Sequence, residues 1–100
     1  MEKNPLETIQ KSDKKLFETI MKTRETAFEE GQLSARHKLL IALAIDAAEG
    51  AVNGIRSLAI QAREAGATKE EIMETLRIVN HICGAGKMYT AARALEGLDL

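Results

Sequence analysis

The stretch from Leu39 to Thr68 constrains the fold of this 100-residue chain more than any other feature. It begins with LLIALAI, which places apolar side chains on every side of a helix, and the helical segment ends at Gly50. An amphipathic segment with the pattern of a second helix follows and stops at Gly66. A helix that is apolar all round needs other helices or another subunit to cover it. The stretch therefore predicts two packed helices at the centre of an all-α domain.

Start and stop signals divide the rest of the chain into further helices. The predicted fold is a compact, oligomeric all-α domain of about five to six helices, with residues 1–100 forming a single domain. The first two predicted helices run from Pro5 to Lys11 and from Ser12 or Asp13 to about Glu30, with Gly31 as the terminating glycine. The next two run from Ala35, behind a Ser34 cap, to about Glu49 and from near Ala51 to Gly66. The fifth starts at a Thr68–Glu71 capping box; Gly84 and Gly86 weaken or bend it, and the helical pattern resumes at Met88 and ends near Gly97.

Composition excludes several classes of function. The net charge is −1 and the acids and bases are interleaved, so no basic surface for nucleic acid or an anionic membrane is expected. One cysteine, Cys83, rules out an internal disulfide, and we expect neither a metal centre nor a cofactor. The longest apolar run, from Leu39 to Ile45, is too short to span a bilayer, and the N-terminus is polar. The expected location is the cytoplasm.

Small residues are dense around the apolar helix, which allows close helix approach. A chain of this size has few other helices with which to cover a helix that is apolar all round. We therefore predict that the protein is a homo-oligomer, between a dimer and a hexamer, whose protomers pack helix against helix. The small residues in question are Ala42, Ala44, Ala47, Ala48 and Ala51.

The chain resembles the carboxymuconolactone decarboxylase family, which includes the alkylhydroperoxidase D-like proteins. The segments LSARHKLLIALAIDAAEG, GATKEEI and ICGAG match the family pattern in order and spacing between Leu33 and Gly84. The resemblance implies an all-α fold that assembles into oligomers. It also implies a link to antioxidant defence against peroxides, of the peroxiredoxin type.

The same resemblance implies a thiol site that this chain lacks. The family's Cys-x-x-Cys-x-x-x-His motif falls on Ala51, Gly54 and Leu58, and its upstream glutamate falls on Leu39. A low-pKa thiolate, a resolving thiol and a proton-transfer pair are needed for dithiol chemistry, and these four side chains supply none of them. The chain is therefore identified as a divergent member without the usual dithiol route.

Cys83 and His81 are the catalytic candidates that remain. Asn80 and Lys87 lie three residues before and four after Cys83, so one continuous helix would place all three on one face. Lys87 would then lower the pKa of the thiol. The alternative, which the burial statistics of cysteine favour, is a small buried residue. His81 is two residues from Cys83, so a regular helix separates the two side chains.

A polar set beside the former thiol position is the second candidate site. Asp46 and Glu49 are three residues apart on one helix, and Asn53 and Arg56 are three apart on the next. They are read either as an acid/base or ligand-anchoring site or as ion pairs of Arg56 with Asp46 or Glu49, and the ion pairs are favoured. With an apolar lining of Ala51, Gly54 and Leu58, the same region predicts a ligand-binding cavity.

Three functions therefore stay open. The first is a peroxidase-like enzyme that works through Cys83. The second is a non-catalytic homo-oligomer that binds a small apolar ligand or a protein partner where the dithiol would lie. The third is decarboxylase-like acid/base catalysis by Asp46, Glu49 or His81.

Overall fold

The structure is a computed structural model that describes residues 4–100. Over this range the chain forms helices and no strand, which confirms the all-α class. The six helices within residues 4–100 are α1 (Leu6–Ser12), α2 (Lys14–Phe28), α3 (Ala35–Glu49), α4 (Val52–Glu64), α5 (Lys69–Cys83) and α6 (Ala85–Ala94). The chain divides into two compact units, the first ending at Gly31 and the second running from Gln32 to Leu100. The prediction of a single domain over 1–100 stays a prediction.

The first unit holds α1 and α2, which Asp13 separates. The Asp13 carboxylate caps α2 by accepting a hydrogen bond of 3.0 Å from the backbone N–H of Leu16. The predicted end of α2 was wrong, because the backbone turns extended at Glu29 and the helix stops at Phe28. Gly31 is therefore not the terminating glycine, and it does not have a positive φ.

The second unit is built around α3, which contacts α4, α5 and α6. Leu43 and Ala47 are the fully buried residues of α3, and Ile55 of α4 and Ile72 of α5 pack into the same core. Alanines contribute much of this core, so the helices approach closely. The buried residues of this cluster are Leu43, Ala47, Ile55, Ala59, Ile72, Leu76, Val79, Ala91, Ala94 and Leu95.

Local signals fix the helix boundaries in this unit as predicted. The Ser34 hydroxyl accepts the backbone N–H of His37 and so caps α3, while Gly50 ends that helix with a φ of 72°. The Thr68 hydroxyl accepts the N–H of Glu71, and the Glu71 carboxylate accepts the N–H of Thr68. This reciprocal pair is a capping box and starts α5.

The apolar run of α3 is covered on one side of the helix within the protomer. Leu43 is fully buried, whereas Ile41 is 48% exposed and Ile45 is 57% exposed. The two exposed isoleucines lie one turn apart, so they form a continuous apolar strip. Within the protomer, therefore, only the inner face of α3 is buried. The outer face, with Ile41 and Ile45, is exposed.

Gly84 separates α5 from α6 completely. Its φ of 91° and ψ of 164° end α5 at Cys83, and α6 begins at Ala85. The sequence predicts that glycines weaken or bend one helix; in the structure Gly84 divides it into two helices. As a result, two helices joined by one residue form the C-terminal part of the unit.

Candidate functional site

The start of α4 is the place where the family resemblance puts the thiol site. Ala51 is the N-cap residue of α4, Gly54 lies in its first turn, and Leu58 lies one turn further. These three residues and Leu39 on α3 are half-buried. None of the four side chains carries a thiol, an imidazole or a carboxylate.

The space beside Gly54 is filled by Asp46. A Cβ atom placed on Gly54 would overlap the carboxylate of Asp46, whose Cγ would lie 3.0 Å from it. The overlap is with Oδ2 of Asp46 and is closer than real Cβ atoms come, so any larger residue at position 54 forces the Asp46 side chain to move. Asp46 is half-buried, and its side chain has no hydrogen bond or ion pair to the described residues 4–100. The site of the second family cysteine is therefore occupied by a carboxylate from α3.

Lys87 lies at the end of α3. Its Nζ atom would be 3.6 Å from a Cβ atom on Gly50, the residue that ends that helix. An ammonium group there is favourable because the last carbonyl groups of a helix carry partial negative charge. The predicted shared face of Cys83 and Lys87 does not exist, because Gly84 puts the two residues on different helices.

The predicted ion pairs of Arg56 are also absent from the described chain. Arg56 donates from Nη1 to the carbonyl oxygens of Ala94 at 3.2 Å and Glu96 at 2.8 Å. It therefore ties α4 to the C-terminal end of α6, where cations are favoured. Glu49 and Asn53 are exposed, and neither has a side-chain hydrogen bond within residues 4–100.

Cys83 and His81 both lie on the last turn of α5. Cys83 is exposed, so the expectation of a small buried residue was wrong. His81 is exposed as well, and no hydrogen bond in the described residues joins it to the thiol. The structure brings neither residue together with the polar set around Asp46.

An open groove of about 700 Å³ lies between α5 and α6. Its floor is apolar and its rim is polar. None of the seven residues predicted to line a cavity lines this groove, since they all belong to α3, the α3–α4 connection or α4. The floor consists of Met73, Leu76, Met88, Ala92 and Leu95, and the rim consists of Arg77, Asn80, Tyr89, Arg93 and Glu96.

The sequence did contain a signal for the groove. Met73, Leu76 and Asn80 follow each other at helical spacing on α5, and Met88 and Ala92 do so on α6. Stripes of apolar residues at this spacing are usually core, which hides a groove in the sequence. Arg77 and Arg93 lie beside these stripes. Their charges indicate that the outer edges of the apolar stripes face solvent.

A separate ion pair fixes α3 to α5 away from the groove. Arg36 Nη1 donates to Glu71 Oε2 at 2.8 Å. The hydrogen bond from the Thr68 backbone N–H is the main cause that lowers the pKa of Glu71. Burial opposes it, and the nearby Arg36 charge adds to the lowering. This arrangement is structural because Glu71 is already engaged by the capping box.

Residues 4–100 contain neither a membrane-spanning helix nor a cluster of metal ligands. No helix in that range is long and apolar enough to cross a membrane. In the same range, no three or more histidine, cysteine, aspartate or glutamate side chains cluster so that they could hold a metal ion.

The comparisons with known proteins agree with this fold. The family model of the carboxymuconolactone decarboxylase family matches residues 14–97, and the chain belongs to that family. A crystal structure of the apo form of lpg0406, a carboxymuconolactone decarboxylase family protein from Legionella pneumophila, is similar, with a TM-score of 0.85 and 28% sequence identity. The match covers 91% of this chain and 81% of that chain. The search of the curated proteins gave no match.

Proposed function

We propose that this protein is a carboxymuconolactone decarboxylase family member that binds a small, largely apolar molecule in the α5–α6 groove. The observation that carries the proposal is the groove itself, whose volume of about 700 Å³ is open beside an apolar floor. Sites for small molecules are typically apolar clefts of about 300–1,000 Å³ with a few polar groups at their edges. Five apolar residues and five polar or amphipathic ones line this groove, which fits that description.

The proposal places function away from the α3–α4 connection. Ala51, Gly54 and Leu58 supply no nucleophile and no proton carrier, and the Asp46 carboxylate takes up the space next to Gly54. A dithiol mechanism has no residues to work with at these positions.

Titration with Nile red, a neutral apolar dye, tests the proposal. Dye bound in the groove brightens because it leaves water, and an Ala92→Trp variant fills the groove and removes the effect. Ala92 is exposed, so the substitution is compatible with folding. Ala85→Trp is the matched control, because Ala85 is an exposed residue of the same helix outside the groove lining. Equal brightening by the parent and the Ala92→Trp variant would contradict the proposal.

A peroxidase that uses Cys83 is the second candidate, and the exposure of the thiol favours it. In that reaction the thiolate attacks the peroxide O–O bond, becomes a sulfenic acid and releases water or an alcohol. An external thiol must then reduce the sulfenic acid, since the chain has no second cysteine. A peroxide-consumption assay with a thiol reductant decides the matter. Equal rates for the parent and Cys83→Ser would eliminate this candidate.

We also propose that the protein is a homo-oligomer whose partner is a second copy of itself. Ile78 is 64% exposed and Ile82 is 73% exposed, one turn apart on α5, and α3 carries a similar exposed pair. Two such strips on one 11.0 kDa chain suit helix packing between copies. Light scattering should give a multiple of 11.0 kDa, and Ile82→Glu should lower that mass. A parent mass of a single chain at micromolar concentration would rule the oligomer out.

A further inference from the structure

We infer that the ligand of the α5–α6 groove is an amphipathic anion: a straight aliphatic chain that ends in a carboxylate or phosphate held between Arg77 and Arg93. This inference rests on the proposed binding function and names the class of molecule that the groove takes. It follows from the placement of the arginines, from their lack of partners and from the shape of the apolar floor.

The two arginines lie at nearly the same level on facing helices. Gly84 alone joins α5 to α6, and both helices line the groove along their length, so they run back alongside each other. Arg77 is seven residues before Gly84 and Arg93 is nine after it. At about 1.5 Å per residue, this difference amounts to roughly 3 Å along the helices. An anion in the middle of the groove therefore meets a guanidinium group from each side.

The arginines of the second unit fall into two groups. Arg36 pairs with a carboxylate, and Arg56 and Arg63 donate to backbone carbonyl groups. The side chains of Arg77 and Arg93 have no hydrogen bond or ion pair within the described residues 4–100, and both line the groove. The guanidinium fork matches the oxygens of a carboxylate or phosphate, so two unengaged arginines at one groove form a receptor for an oxyanion.

The rest of the lining orients the ligand. Glu96 is the acidic residue of the groove lining, and it lies at the end that Met73 and Leu95 form. Its negative charge keeps an anionic head group away from that end, which leaves those apolar side chains to the tail. Met73 and Met88 are flexible and fit an alkyl chain without requiring one rigid shape. From Met88 to Leu95 the floor spans about 10 Å, so a chain of medium length fits it.

Isothermal titration calorimetry with ligands that share one tail tests the inference. The probes are decanoate, decyl phosphate, decanol and decyltrimethylammonium, each below its aggregation concentration. We expect decanoate and decyl phosphate to bind at least about ten-fold more tightly than decanol, because charge-assisted hydrogen bonds contribute that much. The cationic probe should bind no more tightly than decanol. Added salt should reduce the advantage of the anions.

Variants assign the effect to the arginines. Replacing both, as Arg77→Met with Arg93→Met, should abolish the preference for decanoate over decanol when both ligands are measured on the same variant. Both residues are exposed, so the fold should tolerate the change. Arg24→Met is the matched control, because Arg24 is an exposed arginine outside the groove lining.

The outcomes separate the inference from the function on which it rests. If decanol, decanoate and the cationic probe bind equally well, or if the double variant keeps the preference for anions, the inference is wrong and the groove remains an apolar binding site. If none of the four probes binds, the proposed binding function fails as well.

Discussion

The α3–α4 connection and the α5–α6 groove use space in opposite ways. At the connection, the Asp46 carboxylate packs onto Gly54 and the Lys87 ammonium lies beside Gly50, so the protein's own side chains occupy the space next to both glycines. In the groove, about 700 Å³ stays open and two arginines have no partner within residues 4–100. The comparison teaches that the position of a family motif and the position of an available site are separate properties of one fold.

Gly54→Ala should have the largest effect on stability. The new Cβ would overlap Asp46, and overpacking of this kind lowers the free energy of unfolding by about 1–3 kcal/mol. Chemical denaturation measures the change. Adding Asp46→Ala should restore most of the loss, since it removes the overlapping carboxylate.

Gly86→Ala is the matched control for that prediction. Gly86 is also in a helix, but a Cβ there would have no neighbour within 4 Å. The control should therefore raise stability by up to about 1 kcal/mol through helix propensity. If Gly54→Ala and Gly86→Ala change the free energy of unfolding equally, Asp46 does not pack closely on Gly54.

In the same assay, replacing Arg56 should lower the free energy of unfolding by about 1–2 kcal/mol, and replacing Arg77 should have little effect. Arg56→Met removes two hydrogen bonds to carbonyl groups at the end of α6 and should destabilise the protein by that amount. Arg77→Met removes no described hydrogen bond and should change stability by less than about 0.5 kcal/mol. A large loss in Arg77→Met would mean that Arg77 supports the fold and is not reserved for a ligand.

The smallest expected effect is a pH dependence at Glu71. Its pKa is lowered in the folded protein from an ordinary value of 4.5, chiefly by the Thr68 backbone N–H, with Arg36 adding to the effect. The resulting stabilisation is present above the ordinary value and is lost as the pH falls through the lowered folded value. The difference in Tm between the parent and Glu71→Gln should therefore shrink between about pH 7 and about pH 3. A constant difference would show that the Glu71 charge adds nothing.

Much of the fold could be predicted because local signals decide it. Ser34, Gly50 and the Thr68–Glu71 capping box act on backbone groups within a few residues, so their effect is visible in the sequence. The end of α2 could not be predicted in this way. The backbone becomes extended at Glu29, two residues before Gly31, and no residue type there requires the helix to end. Likewise, one glycine at position 84 broke a helix that its apolar spacing suggested would continue.

The candidate site was harder to predict because it depends on which side of a helix faces solvent. Met73 and Met88 have the spacing of core residues, and only the arrangement of α5 against α6 leaves their outer edges open. Arg56 was expected to pair with Asp46 or Glu49, its neighbours in the sequence pattern. Its carbonyl partners on Ala94 and Glu96 are 38 and 40 residues away, and backbone acceptors leave no trace in a sequence.

A decanoate titration followed by ¹H–¹⁵N NMR tests most directly whether the groove, and not the α3–α4 connection, is the ligand site. The groove proposal predicts that the largest shifts come from the backbone amides of Leu76, Arg77, Ala92 and Arg93. The amides of Ala51 and Gly54 should move little. Shifts concentrated at Ala51, Gly54 and Leu58 would contradict the proposal and return the binding site to the position of the family's thiols.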